Sequence, residues 1–273
     1  MMTGMDVAKK LGFREEVMEA VFRTRPLDIP VKPENFEKAI EILEPFARED
    51  NGLRILHFYL DWAVEAKAQY DALGIPERVF WDGMKDLAIW AEDYQEKHGV
   101  PGFGEWGWVA ATMTMWVFRL GRLQFQADRL EEDLICGDRT YPAGTAILNV
   151  HIPAGDPLDV EAVREAMDYA PRFYETHFGK TFTLFHCHSW LLSPQLKEML
   201  PEDSRILQFQ NLFEVCWVDQ ERQAEERVFG SLAEDPATYP EETSLQRKMK
   251  AALLEGKHFG MGCGIRVITS AVC

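Results

Sequence analysis

The sequence predicts an α+β protein in two parts, a helical N-terminal domain over residues 1–115 and a mixed α/β domain over residues 116–273. Three observations predict it. The chain has 273 residues, 47% hydrophobic and 27% charged, the balance of a globular protein with a sizeable core and not of a disordered, collagen-like or coiled-coil chain. Apolar residues recur at three- and four-residue steps through the first part, the period of helices with one buried face. Beyond it the period drops to two, and strand-like and helix-like segments alternate.

Met5 to Phe22 reads as one helix with Leu11, Val17 and Val21 on a face. Pro26 to Pro33 is an extended linker, because each proline disfavours helix in the residue before it. A helix started by Pro33 carries Phe36, Ile40, Leu43 and Phe46 until Asn51-Gly52 breaks it. Leu53 to Leu73 and Pro76 to His98 are two further helices, closed by Gly74 and Gly99. Glu105 to Phe118, apolar nearly all round, reads as a buried helix. Strands follow at 122–126 and 145–152, a helix at 157–169, a strand at 181–188 and a short helix at 194–200. Further strands are expected at 205–210 and 213–218, helices at 219–229 and 243–255, and a glycine-interrupted closing strand at 259–268.

Lys plus Arg number 29 against 45 Asp plus Glu, a formal charge of −16. So negative a surface repels phosphate backbones and anionic lipids, so neither a nucleic-acid nor a membrane partner is expected. Met1 to Lys10 contains no apolar signal core, and no run approaches the ~20 apolar residues of a membrane helix, so a cytoplasmic location is expected. Cys136, Cys187, Cys216, Cys263 and Cys273 are scattered, form no C-x-x-C pair and are expected as reduced thiols.

Two stretches carry candidate chemistry. In Ile147-Leu-Asn-Val-His-Ile-Pro-Ala-Gly-Asp-Pro-Leu158 a strand ends at His151 or Ile152, a tight turn follows, and a helix begins with Asp156 as N-cap and Pro157 as its first residue. Such a junction aims backbone N–H groups at whatever lies above the strand end, the usual way to hold a pyrophosphate. Ile152, Ala154, Gly155 and Asp156 are the candidate residues, with Arg122 as a nearby cation. A capped turn without a ligand accounts for the same residues. In Thr183-Leu-Phe-His-Cys-His-Ser-Trp-Leu-Leu-Ser-Pro194, His186 and His188 fall on one face of a strand and Cys187 on the other. If that strand neighbours the one ending at His151, three imidazoles meet at the strand ends, where open α/β sheets place their sites. Histidine suits general-base work because its ordinary pKa is ~6.5. Ser189 and Cys187 are proton donors or nucleophiles within the same stretch. The three histidines also match a three-histidine metal site serving a hydrolase, although no fourth ligand stands nearby.

The strings Arg119-Leu-Gly-Arg-Leu-Gln-Phe125, Val150-His-Ile-Pro-Ala-Gly155, Cys187-His-Ser-Trp-Leu-Leu192 and Gln208-Phe-Gln-Asn-Leu-Phe213 resemble a bacterial acyltransferase-domain family. Its members join an N-acyltransferase-like helical N-terminal domain to a GNAT-like C-terminal domain. The resemblance implies transfer of an acyl group from acyl-coenzyme A to a small-molecule amine. It implies a central strand ending at His151, a splayed partner at 183–188, and a pyrophosphate turn at Ala154, Gly155 and Asp156. His151 or His186 would be the amine's general base, and Ser189, with His188 as competitor, would protonate the departing thiolate. A non-catalytic GNAT-like binding protein is the alternative within the same fold.

Overall fold

The structure, a computed structural model, describes residues 2–269. The chain divides into two compact units: residues 1–126 with 152–156 and 173–179, and residues 127–151 with 157–172 and 180–273.

The first unit is helical, as expected. In place of one helix over 5–22 it has α1 (Gly4–Leu11) and α2 (Glu15–Arg23). Thr3 and Asp6 form a reciprocal cap at the start of α1, and left-handed Gly12 closes it. Next come α3 (Phe36–Leu43), started by the Asn35 side chain and not by Pro33, then α4 (Leu53–Ala72) and α5 (Glu77–His98). The last helix, α6 (Trp106–Met113), stops earlier than expected, because Met115 takes a left-handed conformation that no α-helix continues through. Val117–Leu120 is a strand instead, β1, paired antiparallel with β2 (Leu123–Arg129). α4 is the centre of this unit: Ile55, Leu56, Phe58, Tyr59, Leu60, Trp62 and Ala63 are all buried, so it is surrounded and not laid on a surface.

In the second unit the strand order is β2-β5-β6-β8-β7, with β2 contributing Ala127–Arg129. A small hairpin that the sequence reading missed, β3 (Leu134–Cys136) and β4 (Arg139–Tyr141), precedes β5 (Ala146–His151). α7 (Val160–Phe178), of which residues 160–172 belong to this unit, starts three residues later than expected and runs through Pro171. Its first turn is capped by Asp159, whose Oδ1 accepts from the N–H groups of Glu161 and Ala162, so Asp156 is not the N-cap. β6 (Leu184–Ser189) pairs parallel with β5. Residues 205–210 are a helix, α8 (Arg205–Gln210), not the expected strand; the Ser204 hydroxyl accepts from the N–H of Leu207 and starts it. β7 (Glu214–Val218), α9 (Gln223–Phe229), α10 (Ser244–Leu254) and β8 (Gly262–Val267) complete the unit.

Two apolar clusters hold the second unit. One gathers Leu196, Leu207, Phe229, Tyr239, Met249 and Phe259. The other joins Leu130, Leu134 and Cys136 to Ile147, Leu184, Cys263 and Ile265, with Cys216 against its edge. Here the expectation of free thiols fails: Cys136 on β3 and Cys216 on β7 are joined in a disulfide. Cys187 and Cys263 are free and buried, and Cys273 lies outside the described residues. Among the described residues no helix is long and apolar enough to cross a membrane.

Candidate active site

The parallel pairing of β5 with β6 is short. It runs Ile147↔Leu184, Leu148↔Phe185, Asn149↔His186 and stops, while β5 continues to His151 and β6 to Ser189. Beyond that point β6 is paired only on its other edge, His188↔Cys263 and Ser189↔Gly262. The two strands therefore part at their C-terminal ends. Side chains alternate, so Ile147, Asn149 and His151 of β5 share a face with Leu184, His186 and His188 of β6. That face is apolar where the strands begin and becomes polar where they part.

His186 is fixed on both sides. Its Nδ1–H donates to Asn149 Oδ1 at 2.6 Å, and Asn149 Nδ2 in turn donates to Asp128 Oδ2 at 3.1 Å. Burial pushes the Cys263 thiol up to about 11, so the thiol keeps its proton and donates it to His186 Nε2 at 3.2 Å. Burial lowers His186 to about 4, with His188 acting in the same direction and Asp128 against it. A neutral ring with both nitrogens engaged has no lone pair for a substrate, which removes His186 from the base role expected of it. His151 is likewise lowered to about 4, by burial first and by His186 second.

His188 is different. It is exposed, and its Nε2–H donates to Asp219 Oδ2 at 2.8 Å, which leaves Nδ1 as the basic nitrogen. Burial pushes Asp219 up, but the N–H groups of Glu221 and Met261 on Oδ1, at 2.8 and 3.0 Å, and His188 together bring it below the usual carboxylate range. The Trp217 ring lies 5.0 Å from the imidazole, centroid to centroid. A His–Asp pair with its outer nitrogen open is the arrangement of an oriented general base. Sequence reasoning gave His188 a secondary role and missed Asp219 and Trp217. Ser189 falls on the opposite face with Cys187; it is buried, and its hydroxyl accepts from the N–H of Leu191. It is therefore placed to cap the following turn and not to meet a leaving group beside His188.

In the first unit, the turn 152–156 rests on two buried arginines. Arg122 Nη1 donates to the carbonyl of Pro153 at 3.0 Å, and Arg119 Nη2 donates to Asp156 Oδ2 at 2.8 Å. Burial lowers Arg122 first and the Arg119 charge second, against the pull of Asp156. Arg119 also reaches Asp86 Oδ1 at 3.5 Å, while Gln124 and Trp108 donate to Asp86 Oδ2. The arginine charges are thus turned inward to hold the turn. Ile152 is half-buried; Ala154, Gly155 and Asp156 are exposed, and Gly155 at φ 99° sits where an L side chain is strained. Gly155, Asp156 and Arg119 border a cavity of about 400 Å³ lined mainly by α5 and the junction of α1 with α2. Among the described residues no group of three or more His, Cys, Asp and Glu is arranged to hold a metal ion, so the three-histidine hydrolase reading has no site on this face.

A helical unit is thus followed by a mixed sheet whose parallel strands β5 and β6 part at their C-terminal ends. Residues 117–266, more than half of the chain, match the family described as GNAT-like C-terminal domain, and the chain belongs to it. Residues 2–115 match the N-acyltransferase N-terminal domain. Among solved structures the chain is similar to an acyltransferase mutant in complex with octanoyl-CoA, at 22% identity and a TM-score of 0.77, covering 97% of this chain and 88% of that one. It is also similar to an acyltransferase in complex with decanoyl-CoA and teicoplanin, at 22% identity and a TM-score of 0.69, covering 98% and 100%. No curated protein matches the sequence.

Proposed function

We propose that the protein transfers an acyl group from acyl-coenzyme A to an amine, with His188 as general base and Asp219 as the group that orients it. The observation that carries this is the parting of β5 from β6 after Asn149↔His186, with His188, held at Nε2 by Asp219, on the stretch of β6 that follows. The amine nitrogen attacks the thioester carbon, its proton passes to His188 Nδ1, and collapse of the tetrahedral adduct expels the coenzyme A thiolate, which receives that proton from His188 and leaves as the thiol. The turn entered directly after His151 is the proposed seat of the pyrophosphate. Ala154, Gly155 and Asp156 are exposed there, and the two arginines hold the turn through the Pro153 carbonyl and the Asp156 carboxylate. The acyl-CoA ligands of the similar structures support the choice of donor.

The test is release of coenzyme A thiol from octanoyl- or decanoyl-CoA in the presence of a panel of primary amines. His188→Ala is expected to lower kcat by about 10²–10³-fold while leaving the KM for acyl-CoA within a few-fold. Full turnover in that variant would remove His188 from the mechanism. Absence of thermal stabilisation of the wild type by millimolar acyl-CoA would remove the donor.

A further inference from the structure

The pairing of β7 with β8 contains one extra residue. The register runs Glu214↔Ile265 and Val215↔Gly264, then resumes at Trp217↔Cys263 and Val218↔Gly262, so Cys216 is the inserted residue of a β-bulge. Because side chains alternate, a single insertion decides which residue meets each face. In a regular ladder Cys216 would stand opposite Cys263, on the His188 face, and Trp217 would point away. With the bulge, Trp217 takes that place and stacks near His188. The shift carries on to Asp219, whose N–H donates to the Met261 carbonyl at 3.0 Å and whose carboxylate is thereby delivered to His188 Nε2. The inserted residue is the one tied covalently to Cys136 on the β3–β4 hairpin, which packs on the same apolar cluster as Cys263 and Ile265.

We propose that the Cys136–Cys216 disulfide is a positioning device: it pins the β7 bulge and so holds Asp219 and Trp217 on His188. This rests on the reading of His188 as general base. Two-electron reduction by a dithiol, which leaves as its cyclic disulfide while two protons complete the cysteine thiols, frees Cys216. Cys216 is then no longer held against the hairpin, and the bulge is free to relax, so that Trp217 and Asp219 lose their hold on His188 together.

The experiment uses the full chain, purified without reductant. Alkylation in denaturant followed by peptide mass mapping is expected to leave Cys136 and Cys216 unlabelled until dithiothreitol is added. In the folded protein the proton on His188 Nε2, held by a carboxylate, is expected as a downfield, slowly exchanging resonance, assigned by its loss in His188→Gln. Dithiothreitol, or Cys136→Ser, is expected to extinguish that resonance and to lower kcat by about tenfold with the KM for acyl-CoA unchanged. Reoxidation with glutathione disulfide is expected to restore both in the wild type. Labelling of the two cysteines without reductant, or a resonance that survives reduction, overturns the proposal. If Cys136→Ser fails to fold, reduction of the folded wild type still decides. The resonance needs no turnover, so a protein with no transferase activity whose resonance follows the disulfide refutes the proposed function and not the positioning role.

Discussion

Asp86 shows how a single side chain can secure a feature distant from it in sequence. It is 2% exposed and takes hydrogen bonds from Gln124 and Trp108 on one oxygen and from Arg119 on the other. Burial raises its pKa, against the lowering effects of Gln124, Arg119 and Trp108, so this carboxylate is costly to keep charged and depends on its donors. Arg119, itself 2% exposed, carries the connection onward to Asp156 in the turn. Removing the acid leaves a buried guanidinium with only the exposed Asp156 for a partner. Asp86→Ala is therefore expected to destabilise the protein by about 3–5 kcal/mol in urea unfolding. Asp86→Asn, which keeps an acceptor for Gln124 and Trp108, is expected to cost about half of that or less. Equal losses in the two variants would mean that packing, and not charge, is what Asp86 supplies.

At the scale of elements, the approach of β8 to the end of β7 depends on a missing side chain. A Cβ at Gly260 would run into the carbonyl oxygen of Asp219 and stand 2.9 Å from Val218 Cγ1. Gly260→Ala must therefore push away the backbone that carries the Asp219 carboxylate to His188. The expected result is a fall in kcat comparable to that of Asp219→Asn in an otherwise folded protein, read by turnover and circular dichroism together. Gly107→Ala, where the new methyl meets only Ile40 at 3.6 Å, is expected to leave turnover unchanged. The helices α4, α5 and α10 and the strands ending in His151 and Ser189 were legible in the sequence because each declares its own period over many residues. Residues 205–210 misled, since Leu207 and Phe209 alternate with Gln208 and Gln210 as a strand would, over too short a run to show a helical period; the Ser204 cap was the available signal. The partnership of His188 with Asp219 had no such signal. The two are 31 residues apart, Asp219 reads locally as a helix start, and the pairing exists only because of a one-residue bulge that no periodicity encodes.

For the whole molecule, the half-buried imidazoles and the net charge make opposite contributions to acid stability. His151 and His186 are lowered from about 6.5 to about 4 in the native state, by burial first. Between those values the unfolded chain binds protons that the native protein refuses. Their contribution to stability is thus complete above about pH 6.5 and lost as the pH falls toward 4. Each full shift would amount to at most about 3 kcal/mol, and less here because both rings are only half-buried. Asp219, held low, adds a loss in the same direction that sets in only below the ordinary carboxylate range. The formal charge of −16 acts the other way, since protonating carboxylates relieves self-repulsion as the solution is acidified. Salt separates the two: at about 0.5 M the Debye length is near 4 Å, which screens repulsion across the surface but not the desolvation of a buried ring. In high salt the urea midpoint is therefore expected to be flat near neutrality and to fall between about pH 6.5 and 4.5, with His151→Gln and His186→Gln each flattening the slope. A slope that both variants leave untouched would mean that these rings are hydrated in the native protein and that the face beside the parted strands is open to water along its length.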